Sequence, residues 1–557
     1  MIIHTMKTTT FNEVDFEQWK EAALQSLKGK PLESLITKTL EGIDLQPLYT
    51  LEDVEKRTHT ARSPKKDLGW IVAQETYATN GEQLLAGLKE SIARGNEALV
   101  FDGNKAVQWE EASLFELSQL MTKYPVFIKN MDVNNPILDA FESVPVSERS
   151  LVKGAISVSE CTLSKGFSNL RTSGADLWIA HHKGADAVTE LALALAQAAN
   201  YADKQENFNN AAEDFFVHFA IDTHFFMEIA KLRAFRILWT AFCTAYKVVE
   251  APYVPILTTT SLRSYSKLDP YVNLLRAGNE VFSAVLGGAD VITVHPHDVL
   301  TGPSESSVRF ARNIQLVIKE ETQVDKVIDA AGGSYFIETL TSELVDKAWA
   351  LFLEIEADGG YEIYVQNVQL EKLLDKRRDQ VAKGIKSLIG TNVYAELANT
   401  DYADWNGIAI EGRLAEPFEN LRTKYGEKQP HTVLVTFGEL NDFKPRADFV
   451  GGFLATGGIR SEWSPAFNDA QTAIDWLANE KPDYAIVCAT PTLTASVMEQ
   501  MLKKLPDNLI LDAAGKYDAA ITQQWLNAGL NGFVFSGQDK VQKLQEIHSK
   551  WTGGDMR

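Results

Sequence analysis

Apolar positions change period several times along the chain, most sharply between Phe215 and Trp239. Phe215 to Ile221 is a continuous run of apolar β-formers broken only by His218, the composition of a strand covered on both faces. From Phe225 the period lengthens. Phe225, Ile229, Leu232 and Trp239 share one helical face, and Glu228 and Lys231 fall off it. Between the two runs, Asp222 and Thr223 supply the short side-chain oxygens that cap a first turn. A buried strand feeding an amphipathic helix is half of a βαβ unit.

The alternation recurs from about residue 66 to 320. It predicts eight strands: Trp70 to Ala73, Ala98 to Phe101, Val126 to Lys129, Ala155 to Val158, Leu177 to Ala180, Phe215 to Ile221, Pro255 to Thr259 and Val291 to Val294. Helices lie between them, the clearest over Asp186 to Tyr201 and over Asp269 to Leu286, the latter stopped by Gly287 and Gly288. Eight parallel strands with helical crossovers predict a (β/α)8 TIM barrel. Upstream, Phe16, Trp19, Ala23 and Leu27 mark an amphipathic arm with an apolar side to cover. Downstream, residues 304 to 424 read as helical and charged. A second βα alternation then begins near Thr432, with strands at Thr432 to Phe437, Ile459 to Trp463, Tyr484 to Cys488, Asn508 to Asp512 and Gly532 to Phe535. Five strands with helices between them predict a smaller flavodoxin-like, doubly wound domain. The expected divisions are 1–65 for the arm, 66–330 for the barrel, 331–428 for a helical connecting segment and 429–557 for the last domain.

Composition narrows the function classes. The 557 residues carry a formal charge of -21, with 45% hydrophobic and 23% charged positions, an ordinary globular balance. An acidic chain lacks the basic face that nucleic acid or an anionic membrane requires. No apolar run is long enough to span a bilayer and the start carries no signal core, so a cytoplasmic protein is expected. Cys161, Cys243 and Cys488 are far apart among apolar neighbours and read as buried structural thiols.

Several stretches then carry a resemblance. Thr39-Leu-Glu-Gly-Ile with Pro47-Leu-Tyr-Thr, Phe226-Met-Glu-Ile-Ala-Lys-Leu-Arg-Ala, Gly332-Gly-Ser-Tyr-Phe-Ile-Glu and Glu354-Ile-Glu-Ala-Asp-Gly-Gly, in that order, resemble the methylmalonyl-CoA mutase family; Gly184 to Ala192 and Ala311 to Gln315 add to the match. The resemblance covers essentially the whole chain. It implies a barrel of acyl-CoA mutase type followed by a cobalamin-binding-type domain, and an isomerase that uses adenosylcobalamin as a radical source to interconvert methylmalonyl-CoA and succinyl-CoA.

Departures from the family pattern fall on the positions that do chemistry. Catalytic members carry Asp-x-His-x-x-Gly, whose histidine ligates cobalt; here the stretch is Asp442-Phe-Lys444-Pro-Arg-Ala447. An ammonium has no lone pair to donate to a metal, and Ala447 adds a Cβ where the family has glycine. The family's Ser-x-Leu and Gly-Gly elements correspond to Thr490-Pro-Thr492 and Ala513-Ala514. In the barrel, the catalytic Tyr-His pair falls on Trp178 and Ile179, the arginine-rich run after Pro-Leu-Tyr-Thr is replaced by Arg57 to Asp67, and Leu268 stands before Asp269-Pro-Tyr where a polar residue is usual.

The pattern resembles the non-catalytic small subunit of the heterodimeric mutases. It implies no catalytic and no cofactor-binding residue on this chain, adenosylcobalamin bound by a catalytic large subunit as partner, and acyl-CoA as substrate of the complex. The alternative is an independently active acyl-CoA-binding barrel whose last domain takes a ligand other than cobalamin. His181 and His182 are candidates for lining a residual pocket. His295 and His297 at a strand end lack a convergent third metal ligand, and His224 with Glu228 reads as helix capping with an i,i+4 contact.

Overall fold

The computed structural model describes residues 14–56, 65–132, 134–158, 163–397, 407–504, 506 and 508–553, with backbone only at 158, 210 and 427. It is a mixed α/β protein with parallel sheets. The main strands are β1 (Ile71–Val72), β2 (Leu99–Asp102), β3 (Val126–Met131), β4 (Lys153–Val158), β5 (Ser173–Asp176), β6 (Phe215–Ile221), β7 (Ile256–Thr260) and β8 (Val291–Thr293). One sheet runs β1-β8-β7-β6-β5. The other runs β2-β3-β4 and ends on Asn169–Arg171. The stretch from Asn169 to Asp176 joins the two, because its first half pairs with β4 and its second half with β6, both parallel. At the opposite edges the Glu97 amide donates to the Val72 carbonyl at 2.8 Å. Ala73, Ala98, Val100, Phe127, Ala155, Phe216, Leu257 and Val291, drawn from both sheets, form one buried cluster.

Seven of the eight expected strands lie where periodicity puts them. The fifth is displaced: Leu177 to Ala180 is not a strand, and Trp178–His182 is a short helix after β5. Asp176 ends the strand by accepting a hydrogen bond from the Trp178 amide at 3.0 Å. The apolar Leu-Trp-Ile-Ala run reflects burial of Leu177, Trp178 and Ala180 in the turn and short helix after the strand, whereas Ser-Gly-Ala-Asp carries no β-branched or aromatic residue to mark it as a strand. Gly174 is required there, since a Cβ would stand 2.6 Å from the Phe216 ring.

The strand β6 is buried along its whole length, and helix Phe225–Ala245 packs back on it. Trp239 stacks on Phe215 with ring centres 5.1 Å apart, and Phe235 meets Phe219 edge-on. Two expectations about this unit are corrected. Glu228 and Lys231 are buried rather than on a polar face, and His224 takes the N-cap position while Asp222 turns to Arg263. Burial of the charges is tolerable because they pair with each other and with Glu190, as described below.

The arm helix Phe16–Ser26 buries no residue, and the segment after it docks on the main core through Ile43. Beyond the long helix Tyr335–Ala357, the second parallel sheet comprises β9 (Thr432–Thr436), β10 (Ser461–Trp463), β11 (Tyr484–Cys488), β12 (Ile510–Ala514) and β13 (Gly532–Val534). Its order is β10-β9-β11-β12-β13, the 2-1-3-4-5 order of a doubly wound sheet, with an apolar cluster on each face. Cys243 and Cys488 are buried free thiols, each pushed up to about 12 by burial; Cys161 lies outside the described residues. Among the described residues no helix is long and apolar enough to cross a membrane.

Packing separates two neighbouring positions. Ile229 is 2% exposed and Phe226 is 46% exposed. Ile229→Asp buries an unpaired charge and is expected to lower stability by more than about 4 kcal/mol, and Phe226→Asp by less than half of that, measured by urea unfolding. Equal losses would contradict the placement of this helix.

Candidate functional site

A cavity of about 1240 Å³ opens at the carboxyl ends of the strands, the end of a parallel α/β sheet where ligands bind. Asp102 ends β2, Lys129 and Asn130 end β3, and Trp178, Leu262 and His295 follow β5, β7 and β8. Leu370, Leu374 and Arg378 of helix Gln369–Ala382, with residues 408–412, form the roof. Below it, Phe127, Phe216, Leu257 and Val291 fill the space between the strands and leave a void of about 30 Å³, room for one water.

The floor carries paired charges. Glu75 is buried against Lys105 and lies 3.5 Å from Lys129, which is 3.8 Å from Asp102. Burial would push the Glu75 carboxyl up, but the Lys129 and Lys105 ammonium groups more than offset this and hold it down at about 2. Lys129 also sits 5.2 Å over the Trp178 ring. With two acids and two bases in contact, the floor is an internally neutral cluster.

Trp178 forms part of the wall, and Ile179 beside it is 60% exposed. Neither an indole nor a sec-butyl group donates a proton to a carbonyl oxygen in the way a phenol or imidazolium does. His182 lines the cavity, packs on Trp178 at 4.2 Å, and its Nδ1–H donates to the Trp178 carbonyl at 2.9 Å. Burial, reinforced by His181, keeps it well below the usual histidine range and hence neutral. His181 is not on the wall. It is fully buried behind it, with Nδ1 2.6 Å from Glu190 and Nε2 2.7 Å from the Ser261 hydroxyl.

Sequence reasoning missed the charges that fasten these loops. Lys231 donates to Glu190 at 2.8 Å and to the Ala220 carbonyl at 2.8 Å, and lies 2.6 Å from Glu228. Arg263 donates twice to Asp222, at 3.0 and 2.6 Å, and to the carbonyls of His181 and Ala185. One signal was available: Glu190 is an isolated charge in the otherwise apolar first half of helix Ala187–Asp203. Asp176, His218 and Thr259 form a second acid–histidine–hydroxyl array, at 2.9 and 2.8 Å. Both arrays have the connectivity of a nucleophilic triad, but Ser261 and Thr259 are buried and neither reaches the cavity.

The other candidates separate. His295 Nδ1–H donates to the Thr260 carbonyl at 2.8 Å, whereas His297 stacks on Tyr271. Among the described residues no three His, Cys, Asp or Glu converge to hold a metal. Of the run replacing the family's arginines, residues 57–64 lie outside the described residues, and Lys65 donates to the Ala289 carbonyl at 2.7 Å.

In the second sheet's domain, Asp442, Lys444 and Ala447 all lie inside the continuous helix Leu440–Thr456. Asp442 caps that helix by accepting from the Glu439 amide at 2.9 Å. Lys444 is exposed and paired with Asp448 at 2.8 Å, one turn on, and Ala447 is buried in the core. Arg446 donates to the Ala514 carbonyl at 2.7 Å and lies over Gly515. Thr490 caps helix Pro491–Leu502, and Ala513 and Ala514 are buried in β12.

Glu228 makes the network pH-dependent. Burial pushes its carboxyl from 4.5 up to about 7, with Lys231 opposing and Glu190 reinforcing. Because the folded value is raised, the folded chain keeps a proton that the unfolded chain has lost, and stability falls as pH rises from about 4.5 to about 7. Glu228→Gln removes this term. Its stability relative to the parent is expected to rise across that window and level off above it, in urea unfolding between about pH 5 and about pH 8. A difference independent of pH would contradict the assignment.

Comparison with known proteins agrees with this architecture. The family model described as methylmalonyl-CoA mutase matches residues 165–444. The methylmalonyl-CoA mutase small subunit of Porphyromonas gingivalis is 28% identical over 546 residues, covering 86% of this chain and 88% of the relative. That of Propionibacterium freudenreichii subsp. shermanii is 27% identical over 614 residues, covering 96% and 94%. The methylmalonyl-CoA mutase of Cereibacter sphaeroides is 28% identical over 495 residues, covering 74% and 69%. With half of its length matched by the family model, the chain belongs to the methylmalonyl-CoA mutase family of isomerases.

Proposed function

We propose that this chain is the non-catalytic small subunit of an adenosylcobalamin-dependent methylmalonyl-CoA mutase, paired with a catalytic large subunit that binds the cofactor and turns over the acyl-CoA. The names of the small-subunit relatives support it. The observation that carries it is Lys444. Where the family places a cobalt-ligating histidine, this chain has an exposed ammonium in a continuous helix, already paired with Asp448. Arg446 occupies the adjoining space over Gly515, so these residues do not fit a bound corrin. Trp178 and Ile179 support the same reading at the strand ends.

In this reading the two joined sheets close as a (β/α)8 barrel over residues 66–330, the arm is 1–65, the connecting segment is 331–428, and 429–557 is a cobalamin-binding-type fold that has lost its ligand. The shared Asn169 to Asp176 stretch and the Glu97–Val72 bond support closure. A cytoplasmic location goes with this assignment. The subunit would contribute a folded, self-satisfied surface to the complex, its buried charges paired internally.

A second reading, an independent acyl-CoA enzyme, is favoured by the size of the cavity and its ionisable walls. One experiment separates the two. The purified chain alone is mixed with adenosylcobalamin and methylmalonyl-CoA, and the cobalamin absorption spectrum and succinyl-CoA formation are followed. Neither a spectral shift nor turnover is expected, and Lys444→His is expected to leave the spectrum unchanged. Cofactor binding with turnover by the lone chain would overturn the proposal.

A further inference from the structure

Residues 407–415 cross the carboxyl ends of the strands without regular secondary structure, yet their backbone is closely seated on the neighbouring loops. The Ile408 amide donates to the Val299 carbonyl beyond β8, and the Leu414 amide to the Arg263 carbonyl beyond β7, both at 2.9 Å. Between them Gly412, at φ +84°, lies against the loop after β5: a Cβ there would stand 2.0 Å from the His182 carbonyl oxygen. At Gly407 a Cβ would stand 2.2 Å from the Leu300 carbonyl carbon. Only glycine permits such approaches. Leu414 and Ala415 are buried, and Arg413 is gripped by both carboxylate oxygens of Glu419 at 2.7 and 2.5 Å. Glu419 also accepts from the Lys267 amide at 2.9 Å.

The segment runs directly into helix Glu416–Glu427, which is bound to the second sheet's domain. Tyr425 donates its hydroxyl to the Leu544 carbonyl at 2.8 Å, and Arg422 donates to the Thr456 carbonyl at 3.4 Å. Residues 408–412 meanwhile roof the cavity. Residues 407–415 therefore touch three strand-end loops and the cavity, and lead directly into the helix that is bound to the C-terminal domain.

We propose that residues 407–415 are a strap: a single cooperative fastening that keeps the cavity's roof down and, through helix Glu416–Glu427, holds the C-terminal domain to the strand ends, so that lifting it frees both together. The three attachments are on different loops, and none of them lets go without moving the short path between Gly407 and Leu414. Opening is therefore collective, and the domain behaves as part of a closed unit.

Amide hydrogen exchange on the full-length chain tests this. In the parent, Ile408 and Leu414 are expected to exchange slowly and at the same rate. In Gly412→Ala both are expected to accelerate together by at least about tenfold, with the amides of helix Glu416–Glu427 following and those of β6 unchanged. Arg413→Ala adds no bulk and is read in the same way, so the test stands even if the glycine variant does not fold. Exchange of Ile408 and Leu414 at exposed-loop rates in the parent, or acceleration of one without the other in the variants, would overturn the proposal. Exchange rates report on the strap alone, so they are unaffected by failure of the subunit assignment, which is read from cofactor spectra and turnover.

Discussion

Charges taken out of water at the strand ends must meet opposite charges there, and the architecture follows from how that is arranged. Lys231 on helix Phe225–Ala245 is fully buried between Glu190 and Glu228, and Arg263 beyond β7 is buried on Asp222 beyond β6. Removing one partner from such a pair leaves a buried charge uncompensated, at a cost of about 3–5 kcal/mol. The loops that carry Asp222 and Arg263 are thereby held in place although they lack regular structure, and helices Phe225–Ala245 and Ala187–Asp203 are tied together through Lys231 and Glu190. His181 and the strap at Leu414 rest on them, through Glu190 and the Arg263 carbonyl.

The legible part of the fold was the part governed by apolar period. Strands such as Phe215–Ile221 are continuous apolar runs because both faces are covered, and helices such as Val272–Gly287 end on Gly288 because the left-handed turn there suits glycine. Where a segment is apolar for another reason the same signal misleads. Leu177, Trp178 and Ala180 are buried in a loop and a helix turn, and they imitate a strand. Counting polar residues off a helical face misplaced Glu228 and Lys231, because their partners arrive from helix Ala187–Asp203 and from the backbone of β6, which no local window contains.

At the site, legibility divided along the same line. Positions 178, 179, 442, 444 and 447 were found by matching a family pattern, and their residue types alone exclude the usual proton transfer and cobalt ligation. The neutral Glu75–Lys105–Lys129–Asp102 cluster and the strap were not legible, since their members are separated by up to several strands and meet only in the folded chain. The glycines at 407 and 412 look like ordinary loop residues in the sequence. Their role appears only when carbonyl groups of other loops lie where a Cβ would be.

On the proposed reading, this chain keeps the packing residues of its family and offers a shape and a surface rather than chemistry. The small-subunit names of its relatives point to a larger partner subunit. The most direct measurement is purification of the native complex through this chain, followed by intact mass of the assembly and its components. The account predicts a one-to-one complex with a longer homologous chain that carries all of the cobalamin. A homo-oligomer of this chain alone, with mutase activity, would contradict it.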